Sequence, residues 1–541
     1  MINRIFNSQT KTITFAAILL GFSALGSRIL GLIRDRLLAG SFGAGPELDI
    51  YFAAFRIPDF VYGILIIGGI SSVFLPVFSE YFRKEQSEGW QLANNVLHVF
   101  FALLILVSGI LIIFTPWIIK LIAPGFTEEQ RALTVVLSRI MFLSPIILGL
   151  SSVFSSVLHY FNRFLIYSLA PILYNIGIIL GILFFVPVFG LLGLAYGVIL
   201  GALLHLIIQI PAVWISGFRW RPIFNFKQEG LIQIFRLMIP RTIGQASYHI
   251  NLIVITAIAS TLAAGSIAIF NFSYNLQYFP IGLIGISFAL ASFPTLSRAW
   301  AEGNKEKFLS DFSLAFRQIL FLVIPASILI FLLRAQIVRL ILGTGQFGWL
   351  ETRLTAASLG LFALGIFAAS LIPFLSRAFF SLKDTKTPVI IGMVSISLNV
   401  FLSLFFVWIL RFENVFSGFV INILKLESIQ EIAVIGLPLA LSLSAIFQFF
   451  LLLIFLKKKI VEMSFIEVKR SLIKIFTASL LMAVIVYFLL KIAANFVDMQ
   501  TFLGVLLQSS LAAFIGLSVY FISALVLGSP EIKTILSSIK K

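Results

Sequence analysis

Cysteine is absent from the sequence. That excludes disulfides, thiolate metal sites and cysteine nucleophiles, and by itself says little about compartment. Charge is scarce too: 11% of residues are charged against 60% hydrophobic, and mean hydropathy is +1.08. That balance excludes an ordinary soluble domain. Histidine is confined to His98, His159, His205 and His249. No P-loop, nucleotide-binding glycine fingerprint, HExxH or paired His/carboxylate metal spacing occurs. Asp and Glu gather in loops without a catalytic arrangement. The chain therefore reads as a non-enzyme with no cofactor and no ATP site, and transport driven by an ion gradient or membrane potential is the default. No small-residue cleavage site follows a short apolar core near the start, so no removable signal peptide is expected.

What is present in abundance is long apolar runs. Segments of about 18 or more residues between polar breaks predict an all-α polytopic membrane protein of about fourteen transmembrane helices. The expected spans are 12–41, 47–79, 93–122, 131–160, 164–187, 191–216 and 230–264. They continue at 265–300, 309–342, 352–382, 386–412, 431–458, 468–494 and 502–528. The chain carries 39 Lys and Arg against 22 Asp and Glu, a formal net charge of +17. The basic residues concentrate in alternate loops, among them 83–84, 219–227, 298–307, 383–386 and 457–470, and in the tail at 540–541. By the positive-inside rule both termini are cytoplasmic and the turn at Gly43 is outside. The basic excess then meets anionic lipid headgroups rather than nucleic acid. Surface amphipathic helices are expected near 1–11 and 464–474.

The second half repeats landmarks of the first. Ala263-Ala264-Gly265 answers Gly43-Ala44-Gly45, Pro294 to Ser297 answers Pro76 to Ser79, and Ile337 to Ile341 answers Ile118 to Ile122, each about 220 residues on. A constant offset marks a repeat. Six helices per repeat is an even number, so the two lobes form a parallel pseudo-twofold pair, with a site near the midplane between them. The expected division is 1–225, 226–465, and a C-terminal helix pair with basic tail at 466–541.

Residues 27–56 place four arginines (Arg28, Arg34, Arg36, Arg56) and three acids (Asp35, Glu47, Asp49) inside a transmembrane hairpin. Arg28 and Asp35 are seven apart, as are Asp49 and Arg56, which sets each pair on nearly one helix face about 10 Å apart. Folding the hairpin puts Arg28 level with Arg56, and Asp35 with Asp49. A charge near mid-membrane costs about 2.5–3.5 kcal/mol on insertion scales and so faces a cavity or a partner. With Arg36 and Glu47 solvated near the outer turn, pairing Asp35 and Asp49 with Arg28 and Arg56 leaves Arg34 without an obvious partner. Two readings follow: an anion-handling site, or Arg–acid pairs that only neutralise each other. In the second lobe the counterpart offers Arg241, His249, Asn251 and Asn275. Arg241 reads either as a site residue or as a headgroup-snorkelling one. His249 reads either as a hydrogen-bonded core residue or as a proton carrier.

The block Ser27-Arg28-Ile29-Leu30-Gly31, Arg34-Asp35, Phe42 to Gly45, Asp49 and Phe55-Arg56-Ile57-Pro58 resembles the MurJ (MviN-type) lipid II flippases. Ala123-Pro124-Gly125-Phe126, Asn162-Arg163-Phe164, Asp384 to Pro388, and Gly436 with Leu441 to Ser444 extend the resemblance over about residues 15–460. It implies a fourteen-helix member of the multidrug/oligosaccharidyl-lipid/polysaccharide exporter superfamily. It also implies a central cavity worked by alternating access, and a groove from helices thirteen and fourteen for a polyprenyl tail. The implied substrate is a lipid-linked diphosphate sugar, most simply lipid II, carried from the inner to the outer leaflet of the cytoplasmic membrane. Another lipid-linked oligosaccharide, or a drug or cation exchanged by an antiporter of the superfamily, is the alternative. Arg28, Arg34, Asp35, Asp49 and Arg56 are the implied substrate-binding set, with Arg241 and Asn275 added. The family's other cavity charges fall at Tyr62, Ile67 and Asn275. The acid associated with a sodium site in some members falls at Ile255, leaving Asn399 as the candidate for a weak sodium site.

Overall fold

A computed structural model describes residues 13–427, 429–462 and 464–539. The expected surface segment at 1–11 and the basic tail at 540–541 lie outside the described residues. The described elements are helical. In chain order they are α1 (Ile13–Phe42), α2 (Pro46–Lys84), α3 (Gln86–Ile122), α4 (Glu128–Tyr160), α5 (Phe164–Phe189), α6 (Leu192–Ile215) and α7 (Glu229–Ser260). They continue as α8 (Ser266–Ala301), α9 (Lys305–Ile341), the bent pair α10 (Trp349–Ala363 and Ile366–Ser381), α11 (Lys386–Ile409), α12 (Ala433–Lys459), α13 (Ile466–Ala493) and α14 (Phe502–Val526). Among the described residues eleven of these are long and apolar enough to cross a membrane, and twelve if the bent pair counts as one span. α1 and α7 stand at the expected first and seventh positions. A short helix (Val415–Leu424) lies in the insertion before α12, and α15 (Pro530–Ile539) follows α14. The surface segment expected at 464–474 is instead the first turns of α13.

Local chemistry sets several ends. Thr127 opens α4 with a capping box, its hydroxyl accepting from Gln130 N while the Gln130 side chain accepts from Thr127 N. Asn304 and Thr501 cap α9 and α14 in the simpler way. α2 is not uniform: Tyr62–Ile70, a glycine-rich stretch, is wound as a π segment, and Ile281–Ile286 of α8 is wound the same way. The repeat recurs in the backbone as well. Gly43 and Gly265 both have positive φ, and so do Asn162 and Lys383, each pair about 220 residues apart.

The chain packs as two units, Met1–Ile267 and Ala268–Lys541. The expected boundary at 225 followed the repeat, whereas the packing boundary falls after α7. The reason is that Leu231, Ile234 and Met238 of α7 join the core of the first unit with Phe74, Phe78 and Phe142. The second unit is built on Phe308, Phe312, Phe321 and Phe374, and it takes in the C-terminal pair. Met482 and Val486 of α13 belong to that core, and Tyr520 of α14 donates from its hydroxyl to Phe321 O (2.6 Å).

The Asp384 loop of the second unit is a latch. The carboxylate accepts from the backbone N–H of Lys386 and Thr387 (3.1 and 3.0 Å) at the start of α11, and pairs with Lys459 at the end of α12. Burial acts to raise this carboxyl, but the hydrogen bonds from Lys459 and Thr387 outweigh it and hold the group down at about 2. A depressed carboxyl stabilises the fold above its ordinary value of 3.8, and that contribution is lost as pH falls from about 4 to about 2. Asp384→Asn is expected to lower stability at pH 7 by about 1–2 kcal/mol. Melting curves should then show the variant losing less than the parent across that acid window.

Candidate functional site

α1 carries the first charges into the apolar interior. Arg34 donates from Nε and Nη2 to Asp35 Oδ1 (3.1 and 2.8 Å), and from Nη1 to Asn175 Oδ1 of α5 (3.3 Å). Asn175 in turn donates to Ser27 O (3.3 Å), tying α5 to α1 a second time. Arg34 therefore has partners, contrary to the pairing expected from helix spacing. Adjacent residues on a helix point about 100° apart and do not normally face each other. The arginine side chain is long enough to turn back, and Asp35, only 3% exposed, needs the nearest cation.

The returning helix α2 supplies Asp49, Arg56 and Asp59. Asp49 is buried, and its Oδ2 accepts from the N–H of Gly265 (2.7 Å). Gly265 has φ +89°, and a Cβ there would overlap the carbonyl oxygen of Ala44, so the two matched glycine turns lie against each other. Arg56 donates from Nε to Thr256 Oγ1 of α7 (2.7 Å), and that hydroxyl donates on to Leu252 O (2.8 Å). Asp49 and Arg56 thus each reach α7 or the turn after it.

Arg28 lines a cavity of about 700 Å³ inside the first unit, among α1, α2, α4, α5 and α6. Seven serines, Tyr62, Tyr167, His159 and His205 share the wall, and no carboxylate is among the described lining residues. Ser23 donates to Ser168 (2.9 Å), and Ser71 and Ser152 stand 2.6 Å apart. Behind the wall, Ser151 meets His205 Nδ1 (2.7 Å) and Gln209 Nε2 (2.7 Å). Among its described lining residues the cavity offers a fixed cation, Arg28, with hydroxyl and imidazole groups, an arrangement that solvates an anion.

In the second unit a groove of about 810 Å³ is walled by Phe316, Leu320, Phe367, Phe450, Leu472 and Phe476, with Lys469 at its edge. The sequence reading expects a groove from helices thirteen and fourteen. α13 forms one wall, but the others come from α9, α10 and α12, and no residue of α14 is among the described lining. α14 is drawn instead into the core behind, where Tyr520 is fully buried.

Arg241 is exposed on α7 and does not line the Arg28 cavity. Asn275 lies on α8 in the second unit, as does the buried Asn399 on α11. Among the described residues no group of three or more His, Cys, Asp or Glu could hold a metal ion. Reading the sequence missed Asp59, whose Oδ2 stands 3.8 Å from His249 Nδ1. The signal was available, since a carboxylate three residues past Arg56 in an apolar helix is an intramembrane ionisable group like the others. The hydroxyl wall was not legible in that way, because serines in apolar helices usually serve helix packing.

Comparison with known proteins gives consistent results. The family model for lipid II flippase MurJ matches residues 38–507. A probable lipid II flippase MurJ of Buchnera aphidicola subsp. Acyrthosiphon pisum is 28% identical over 513 residues, covering 93% of this chain and 95% of the relative. One of Haemophilus influenzae is 32% identical over 394 residues, covering 69% of this chain and 77% of the relative. Among solved structures, a lipid II flippase MurJ in an inward closed conformation superposes with a TM-score of 0.74 at 25% identity, over 94% of this chain and all of that one. An inward-facing multidrug transporter of the MATE family superposes with a TM-score of 0.63 at 16% identity, over 81% of this chain and 95% of that one, which is a likeness of fold.

Proposed function

The chain belongs to the lipid II flippase MurJ family, and from that premise we infer that it flips lipid II by handling the anionic headgroup and the lipid tail at separate places. It is a transporter of a lipid-linked substrate in a multi-span membrane fold. Arg28 is the residue that meets the diphosphate: its planar fork binds phosphate oxygens bidentately and stays charged. The serines and tyrosines around it donate to the sugar and phosphate oxygens. Arg56 serves the same anion, while Arg34, Asp35 and Asp49 position the helices that carry it. Arg241 and Asn275 contribute along the headgroup's path from α7 and α8. The groove of the second unit takes the polyprenyl tail, which needs apolar walls and no polar partner. By the positive-inside rule both termini lie in the cytoplasm and the Gly43 turn outside, and the flippase role puts the protein in the inner membrane.

Alternating access moves the headgroup outward. A doubly negative diphosphate leaving an inside-negative cell gains about 2.3 kcal/mol per charge per 100 mV, so membrane potential alone favours export. The observation that carries this reading is Arg28 in a hydroxyl-lined cavity with no described carboxylate on its wall. An antiporter of cationic drugs needs the opposite sign there. The direct test is complementation: the gene should sustain wall synthesis in a host depleted of its own lipid II flippase, and failure to do so at normal expression would overturn the assignment.

The groove makes its own prediction. Phe450→Ala and Leu472→Ala remove apolar contact with the tail, and each is expected to raise the KM for long-chain lipid II about 10-fold, near 1.4 kcal/mol. A short-chain analogue should be transported as before. Equal losses for both chain lengths in a proteoliposome assay would place the tail elsewhere.

A further inference from the structure

Asp59 and His249 form a pair that the diphosphate reading does not use. Asp59 follows Pro58 on α2, about 20 Å of helix from Pro46. Its side chain is 35% exposed, and a carboxylate at that depth requires water beside it rather than lipid. His249 comes from α7, its side chain 10% exposed, with Nδ1 3.8 Å from Asp59 Oδ2. The ring is seated by the sequence of the π segment: a Cβ on Gly63 would overlap His249 Nε2, so glycine is what leaves room for it. Phe60 and Tyr248 stand edge-on to the ring at 6.4 and 5.2 Å between centroids.

Arg56, one turn before Asp59, acts on both members of the pair. Among the described residues Tyr62 on α2 and Tyr174 on α5 also lie within electrostatic reach of the Asp59 carboxylate, and the Tyr248 phenol stands beside the His249 ring. With a neutral imidazole the Arg56 and Asp59 charges cancel, and at 3.8 Å the pair is too long for a hydrogen bond. A proton taken up by the pair leaves the cluster with one net positive charge. If it resides on the imidazole, Nδ1–H faces a carboxylate, and a charge-assisted bond of about 2.7–2.9 Å becomes available, drawing α7 toward α2.

We propose that Asp59 and His249 form a proton-binding site, and that its protonation shifts α7 against α2 and so couples the transport cycle to the pH gradient. The site stands by itself; the coupling rests on the flippase reading above. Asp59 is partly exposed, His249 accepts or releases the proton, and the π segment that begins at Tyr62 and seats the His249 ring is a place where helix winding changes at modest cost.

The absence of cysteine allows a direct test in the full-length protein. Nitroxide labels at positions 47 and 261, both exposed in the first unit, report the separation of α2 and α7 without any substrate. The distance distribution should differ between pH 5.5 and pH 8, and should become independent of pH in Asp59→Asn and in His249→Gln. Two variants on different helices guard against one failing to fold, and Gly63→Ala, which unseats the ring but keeps both groups, should act like them. In proteoliposomes clamped at zero potential, a pH gradient should stimulate lipid II transport about 5-fold or more, the lower end of ordinary coupling. That ratio should fall to near one in both variants. A distance distribution unchanged by pH in the parent, or still pH-dependent in both variants, overturns the proton site. Stimulation that survives in both variants overturns the coupling. Absence of transport under any gradient or potential overturns the flippase reading instead, and leaves the label distances to decide the proton site.

Discussion

Arg28→Ala should reduce lipid II flipping about 10–100-fold, the range of a lost charged hydrogen bond to phosphate, while the melting temperature stays near that of the parent. Arg28 lines the hydroxyl-walled cavity where this reading seats the diphosphate, so its loss should tell chiefly on transport. Arg28→Lys keeps the charge but loses the bidentate geometry, and should recover part of the rate only. Arg34→Ala should behave in the opposite way. It leaves Asp35 buried without the guanidinium that holds it at 2.8 Å, and breaking such a pair costs about 3–5 kcal/mol. Arg34→Ala/Asp35→Ala should then regain much of the lost stability. Flipping rates measured beside melting curves for these four variants separate a substrate arginine from a structural one. A stability loss in Arg28→Ala as large as that in Arg34→Ala, repaired together with flipping by Asp35→Ala, would return Arg28 to ion pairing alone.

Gly265→Val should be the most destabilising single change near the matched turns. The residue has φ +89°, where a β-branched side chain stores about 1–3 kcal/mol of strain. Its Cβ would also overlap the carbonyl oxygen of Ala44, which adds about 1–3 kcal/mol of overpacking. The N–H donated to Asp49 Oδ2 is then pushed out of register. Gly190→Ala is the control: φ is +58° with ψ −141°, but nothing lies within 4 Å of the added carbon, so it should cost about 1–3 kcal/mol of backbone strain only. Thermal unfolding in detergent of Gly265→Ala, Gly265→Val and Gly190→Ala gives the comparison. Equal losses for the two alanine variants would mean that the contact between the turns contributes nothing.

The helices and the glycine turns were legible in the sequence, because apolar run length and the need for positive φ are local properties. Gly43 and Gly265 have the left-handed backbone that their place in the repeat calls for. The charged residues of α1 and α2 were also legible as exceptions to an apolar background. Their partners were not. Seven-residue spacing suggested Arg28 with Asp35, yet Arg34 takes Asp35 and a second partner, Asn175, more than a hundred residues away. Spacing describes backbone phase, whereas a long side chain chooses among all acceptors within its reach.

Composition and periodicity by themselves determined that this is a multi-span helical protein with cations inside its apolar segments. Tertiary structure decided which cation lines a cavity, which is locked in a pair, and that Asp59 meets His249 across a glycine. It also decided that α7 packs with the first unit, although the repeat assigns it to the second. The physical reason is range: hydropathy and turn preference act within a few residues, whereas a buried charge is settled by whichever distant side chain the packing brings within about 4 Å.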